Sequence, residues 1–263
     1  MGRDVISAKL DVIFKKIFTE NRDMLHEFIA DVLDIPSESI QDIIITNSEL
    51  PPETTDGKFS RLDLNLKVDD KLVNVEIQVK NDNDFCDRAL FYWAKLYTSE
   101  LKSGEIYSSL KKAITINILN FNMFQGENYH TEVAAIIKET GELFSDKFSI
   151  HFFELKKVGK KVNPNNRREL WMHFLNADSE EDFEMIRETN VPIMKKAVNV
   201  IYDLSEDTRI REMARIREKA LHDEASALAN AKNEGRAEER KKLIEKWRKK
   251  GMSDEAIQEL LSE

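Results

Sequence analysis

Arg61-Leu62-Asp63-Leu64-Asn65-Leu66-Lys67-Val68, then Asp69-Asp70, then Lys71-Leu72-Val73-Asn74-Val75-Glu76-Ile77-Gln78-Val79-Lys80: on both sides of a short acidic pair, apolar and polar residues alternate with period two. That alternation is the pattern of a half-buried β-strand. Asp69-Asp70 reads as a two-residue hairpin turn. Such a turn pairs Val68 with Lys71, and counting outward it sets Asp63 opposite Glu76. Leu62, Leu64, Leu66, Val73, Val75, Ile77 and Val79 then share one face. Arg61, Asp63, Asn65, Asn74, Glu76, Gln78 and Lys80 share the other. A four-residue turn keeps the faces but moves the partner, and a three-residue turn breaks the faces apart.

Two carboxylates directly opposite each other on a sheet cost roughly 0.2–1 kcal/mol. A divalent cation would offset that cost, because hard ions such as Mg²⁺ take carboxylate and backbone oxygens. The plainer alternative is a solvated polar face on which the two side chains point apart into water. If a metal is held there, it lowers the pKa of a bound water and polarises a phosphate. Gln78, on the same face, can orient that water but cannot carry charge or act as a base. Lys80, two residues further along, can supply the cation that glutamine lacks.

Around the hairpin, helical spacing covers 8–19 and 21–34, with Asn21 as expected N-cap and Pro36 beyond the second helix. Strands are expected over 41–48, 112–120, 130–138 and 147–155. Phe85, Ala89, Tyr92, Trp93, Leu96, Tyr97 and Leu101 mark a helix over 84–102, closed by Gly104. Beyond Asn163-Pro164 the pattern is helical throughout, over 166–176, 179–188 and 192–203. This order of elements reads as an α/β or α+β sandwich around a mixed sheet, the α/β form being the expected class. It divides the chain into a core over 1–160, a helical subdomain over 161–205 and a charged tail over 206–263. The tail carries only a thin, alanine-rich apolar seam, so it reads as a long solvated helix or weak coiled coil. Gly251 interrupts it, and 253–257 looks like the start of a capped last helix.

Arg61-Leu62-Asp63-Leu64 followed by Val75-Glu76-Ile77-Gln78 resembles the split D…ExK signature of the PD-(D/E)XK nucleases. It is most similar to the ExQ branch, the recombination-promoting nucleases and transposase-like proteins. Asp11-Val12-Ile13-Phe14-Lys15-Lys16-Ile17-Phe18 resembles that branch's first helix. Arg88-Ala89-Leu90-Phe91-Tyr92-Trp93 resembles its post-motif helix, and Gly104-Glu105-Ile106-Tyr107 its "GxxY" turn. The resemblance is good over about 8–125 and general beyond. It implies a restriction-endonuclease-like core of helix, three strands, helix and strand, with a C-terminal all-helical extension. It also implies a DNA endonuclease with a Mg²⁺ (or Mn²⁺ or Ca²⁺) ion held by Asp63, Glu76 and the carbonyl of Ile77. Gln78 takes the usual lysine's place, a departure that also admits a catalytically weak DNA-binding protein that keeps the fold. The biological role implied is recombination or mobile-element DNA processing.

Further residues admit two readings each. Lys15, with Lys16, either contacts phosphate or forms the solvated side of its helix. Arg88 and Tyr92, four apart on one helix face, either approach the scissile phosphate or serve a structural ion pair, arginine being suited to both. The basic run 236–250 either steers nucleic acid or is a helix laced with its own ion pairs. The tail is expected to join copies into a homo-oligomer. Net charge is −9 over 263 residues, which excludes a uniformly basic coat but not a local basic groove. One cysteine, Cys86, rules out an intrachain disulfide framework and reads as a packing residue. No secretory signal and no membrane span is seen, so a reducing cytoplasm is the expected location. The five histidines are scattered in sequence with no metal-ligand spacing. No glycine-rich phosphate loop is present.

Overall fold

A computed structural model of the protein describes residues 4–46, 64–80 and 84–253, together with Ile257 and Leu260. In chain order the elements are α1 (Asp11–Glu20), α2 (Arg22–Leu33), β1 (Ile43–Ile45), β2 (Leu64–Val68), β3 (Lys71–Gln78), α3 (Phe85–Thr98) and β4 (Ala113–Leu119). They continue with β5 (His130–Ile136), β6 (Leu143–Glu154), α4 (Arg167–Asn176), α5 (Glu180–Glu188), α6 (Pro192–Glu206) and the long α7 (Thr208–Lys249). Each element expected within the described residues forms, with ends shifted by a few residues, while the capped last helix expected from 253 lies largely outside them. The α3 helix stops at Thr98, short of Gly104, which takes φ +88° in the turn that follows.

One difference is local. Asn21 sits at the N-cap of α2 but makes no side-chain cap there. Its amide donates to the Ile17 carbonyl at 2.8 Å, so it closes α1. With no loop between the two helices, the orphan carbonyls ending α1 compete for that side chain and win it. Elsewhere capping follows the sequence: Ser179 and Asp182 form a reciprocal capping box on α5, and Pro192 opens α6.

The six strands form one mixed sheet in the order β1-β2-β3-β4-β6-β5. The β1–β2, β2–β3 and β6–β5 pairs are antiparallel, and β3–β4 and β4–β6 are parallel. The hairpin register is the one a two-residue turn demands, Val68 opposite Lys71 and Leu64 opposite Val75. Asp69 takes φ +53° in that turn. Its Oδ1 accepts from the N–H groups of Gln41 and Asp42, both at 3.0 Å, which ties the turn to the entry of β1. Those bonds, Asp42's first, hold its carboxyl below the usual range.

Antiparallel neighbours can be joined by a tight turn, but the parallel step from β3 to β4 needs a crossover. That crossover is α3, and it decides which sheet face is covered by what. Phe85 and Ala89 of α3 pack on Leu119, Ile150 and Phe152, and the Trp93 indole donates to the Ala113 carbonyl at 2.9 Å. The face under α3 is the one carrying Asn74, Glu76, Thr115 and Asn117, as the β3–β4 register requires. The opposite face, with Val73, Val75, Ile116 and Ile118, faces α1. There Phe14, Phe18, Phe28 and Trp171 form an aromatic cluster with centroids 4.6–6.2 Å apart, joining α1 and α2 to α4. All seven residues of β4 are buried, as befits a strand covered on both sides.

The chain divides into two compact units, Met1–Ala214 and Arg215–Glu263. In the second, every residue from 222 to 243 is exposed, in keeping with a polar helix that has no broad apolar stripe. Gly251, at φ +82°, ends it: its N–H bonds the Arg248 carbonyl and that of Met252 bonds Trp247, both orphan carbonyls of the last turn.

Candidate functional site

Glu76 lies two residues from the C-terminal end of β3, opposite Asn117 of β4, and is 3% exposed. The polar face of the hairpin is therefore buried beneath α3 and not a solvated surface. Burying a carboxylate away from water is costly unless it is paired and hydrogen-bonded. The helix supplies the pair. Arg88, in the first turn of α3, donates from Nη2 to Glu76 Oε1 at 3.0 Å. Its guanidinium carbon stands 5.3 Å from the centre of the Phe85 ring and 6.0 Å from that of Tyr92. The charge thus sits between a buried acid and two ring faces, with the arginine side chain 26% exposed. The two asparagines of this row are satisfied internally, whereas Thr115 Oγ1 is buried with no hydrogen-bond partner among the described residues. Asn74 donates to the Asn65 side chain at 2.9 Å, and Asn117 to the His151 carbonyl at 3.1 Å.

The structure thus brings together Glu76, Arg88 and Tyr92, three of the residues expected from sequence. Gln78 is the last residue of β3, half-buried, and its carbonyl accepts from Asn120 N–H at 2.9 Å. Lys80 follows in a bend, also half-buried. Ile77 turns its side chain to the opposite face, 7% exposed. Lys15 is half-buried on α1, and Lys16 pairs with Glu20 on the same helix. Cys86 is exposed, contrary to the packing role expected of it: it follows the buried Phe85 by one residue on α3, and that step turns it away from the core. Asp63 lies outside the described residues. Among the described residues no group of three or more His, Cys, Asp or Glu side chains stands together to hold a metal. The site sits where parallel strands β3 and β4 end, the place at which open α/β sheets leave room for a ligand. A buried acid kept beside a fixed cation is an oxygen donor of the hard kind that Mg²⁺ or Mn²⁺ takes.

One polar cluster escapes a reading by linear spacing. The β5–β6 register sets Glu132 opposite His151 and His130 opposite Phe153. His130 Nε2 and His151 Nδ1 come within 3.0 Å, with the two rings parallel and 5.3 Å apart. Ser149 Oγ lies 2.9 Å from His151 Nε2 and donates to Glu132 Oε1 at 2.9 Å. The signal was present as two period-two pairs, His130 with Glu132 and Ser149 with His151, but only strand pairing joins them. Burial pushes the His151 imidazole down to about 4, against the weaker upward pull of Glu132, and His130 and Arg168 add to the fall. His130 is lowered too, chiefly by burial. Both histidines fold in the neutral form, so between pH 6.5 and about 4 the unfolded chain binds more protons than the folded one. Their contribution is intact above pH 6.5 and is lost as pH falls through that window. Urea unfolding at pH 7 and pH 4.5 checks this. His151→Gln should flatten the dependence, and an unchanged slope would remove His151 as its source.

The model of a family described as PD-(D/E)XK nuclease family transposase matches residues 8–231 of the chain. No curated protein and no solved structure matches it.

Proposed function

Because the chain belongs to the PD-(D/E)XK nuclease family transposases, we propose that it is a metal-dependent DNA endonuclease acting in mobile-element or recombination DNA processing. The observation that carries this reading is Glu76: a carboxylate 3% exposed near the end of a parallel strand, paired there with the guanidinium of Arg88. A fold gains little from burying such a pair, which apolar residues can replace without loss.

In this reading Asp63, Glu76 and the carbonyl of Ile77 hold a Mg²⁺, Mn²⁺ or Ca²⁺ ion. When bound, such an ion lowers the pKa of a water and polarises the scissile phosphate. Gln78 would accept a hydrogen bond from that water and orient it toward the phosphorus. Lys80 stabilises the charge that develops on the phosphate oxygens. Lys15, Arg88 and Tyr92 position the flanking DNA backbone, arginine by its planar fork of donors. Residues 1–160 act as the nuclease core, 161–205 as a helical subdomain, and 206–263 as the tail through which copies associate. Among the described residues no helix is long and apolar enough to cross a membrane.

Relaxation of a supercoiled plasmid tests the proposal, with Mg²⁺, Mn²⁺ or Ca²⁺ and with chelator. Wild type should nick in Mg²⁺ or Mn²⁺ and stop with chelator. Asp63→Ala should lose about two to three orders of magnitude, the size of effect seen when one charge-stabilising group is removed. Equal nicking by both proteins, or none with any ion, would overturn the reading in favour of a DNA-binding protein that keeps the fold.

A further inference from the structure

The strand β5 ends the sheet, and among the described residues no strand pairs with its outer side. Hydrogen bonds at its two ends show which backbone groups face outward. The Tyr129 carbonyl accepts from Glu154 N–H at 2.7 Å, while Ile137 donates to the Glu142 carbonyl and accepts from Gly141 N–H, both at 2.8 Å. Tyr129 and Ile137 therefore turn inward to β6. Inward and outward residues alternate along an antiparallel strand, so Glu132, Ala134 and Ile136 hold their N–H and C=O groups outward. The register shifts do not disturb this count. Ala134 pairs with Ser149 and Ala135 with Ser145, so the surplus residues belong to β6. Natural edges are blunted by lysine, proline or a bulge in the edge strand itself. Residues 130–137 contain no Lys, Arg or Pro, and Ile136 is 58% exposed.

We infer that this edge is an interface between two copies of the chain: a two-fold seam about Ala135 that joins two six-stranded sheets into one. The order Glu132-Val133-Ala134-Ala135-Ile136-Ile137-Lys138 complements itself when reversed about its centre. Laid antiparallel on a second copy, Ala134 of each chain meets Ile136 of the other, outward backbone groups against outward ones. On the other side of the strand Val133 meets Ile137. That contact extends across the seam the cluster beneath α3 on which Val133 packs. At both ends Glu132 meets Lys138, an acid opposite a base, which favours the pairing. Glu132 is available for this, since its side chain is 51% exposed beside its bond with Ser149. A centre at Ala134 instead sets Glu132 against Ile136 and Lys138 against His130, and a centre between two residues sets outward groups against inward ones. Only the seam about Ala135 matches charge, apolar contact and backbone parity together. It stands apart from both the nuclease reading and association through the tail.

The test is sedimentation of the full chain over a range of concentrations. Lys138→Glu sets acid against acid at both ends of the seam, and Glu132→Lys sets base against base. Each alone should weaken pairing at least about tenfold, so that its mass is half that of wild type where wild type is paired. An equimolar mixture of the two variants should recover the wild-type mass, because each supplies the charge the other lacks. Ala134→Pro, which removes an outward N–H and none of the bonds to β6, should also halve the mass. Association through the tail would respond neither to these substitutions nor to the mixing. A wild type that sediments as a single chain at every concentration would overturn the inference. So would variants of unchanged mass, or a mixture of folded variants that fails to recover it. Should Glu132→Lys not fold once Ser149 loses that acceptor, hydrogen exchange of wild type decides. Exchange over 132–137 that slows as concentration rises supports the seam, and exchange indifferent to concentration refutes it.

Discussion

Glu76→Gln should abolish metal-supported plasmid cleavage, with a fall of about three orders of magnitude, while leaving the protein folded. The substitution keeps the shape of the side chain and keeps Oε1 as an acceptor for the Arg88 donor now 3.0 Å away. It removes the negative charge, which is what a hard cation takes, and turns the second oxygen into an amide NH₂. Packing on the covered face is untouched, so Phe85, Leu119 and Phe152 should hold α3 in place as before. The matched measurements are nicking in Mg²⁺ and Mn²⁺, Mn²⁺ affinity, and thermal unfolding. A fall in cleavage below tenfold with the fold intact would show that the hydrolytic centre lies elsewhere. Alanine is the poorer choice at this position, because it empties the space under α3 and removes the Glu76 acceptor from the guanidinium. Loss of activity would then mix with loss of structure.

The largest expected effect on stability belongs to Trp171→Ala, at about 3–5 kcal/mol. Trp171 is fully buried. Its ring centre lies 5.5–6.1 Å from those of Phe28, Phe18 and Phe174, so truncation opens a cavity shared by α1, α2 and α4. The indole N–H also donates to Asp31 Oδ2 at 2.7 Å. Burial raises the Asp31 carboxyl above its ordinary range, and the indole and Arg167 both pull it back down. Without the indole, Asp31 keeps only the Arg167 contacts at 3.2 Å to balance its burial. Urea unfolding should show an earlier midpoint with an unchanged slope. A loss under about 1 kcal/mol would mean that the cluster refills the space, and that α4 is less essential to the α1–α2 layer than its contacts indicate. Phe183, in the next aromatic layer and 5.8 Å from Phe174, serves as the control for a site one step removed from that layer.

Much of this fold was legible along the chain because the signals involved are local. Period-two alternation over 64–78 and helical stripes such as Ile13, Phe14, Ile17 and Phe18 reflect which side chains a single element turns to one side. The two acidic residues between the hairpin arms set the register from Val68–Lys71 to Leu64–Val75 without reference to anything distant. The candidate site was legible for a related reason: Glu76 and Gln78 had to share a face, and Arg88 and Tyr92 had to share another. Misreadings arose where two local choices were equally good. Asn21 suited the end of α1 as well as the start of α2, and only the crowding of two abutting helices settled which carbonyls it served.

The amino-acid order by itself determined the elements, the hairpin register, and the acid on the polar side of β3. It did not determine what lies over that side. Alternation reports that a face is polar, and water or another layer of protein can equally well meet it. The parallel step from β3 to β4 decided the matter, because a crossover must pass over one face, and α3 carries Arg88 to within 3.0 Å of Glu76 as it does so. The same holds for His130 and His151, 21 residues apart and joined only by the pairing of β5 with β6. Periodicity is a property of a segment, whereas the environment of a charge is a property of every segment packed around it, and the free energy of a buried charge depends on the second.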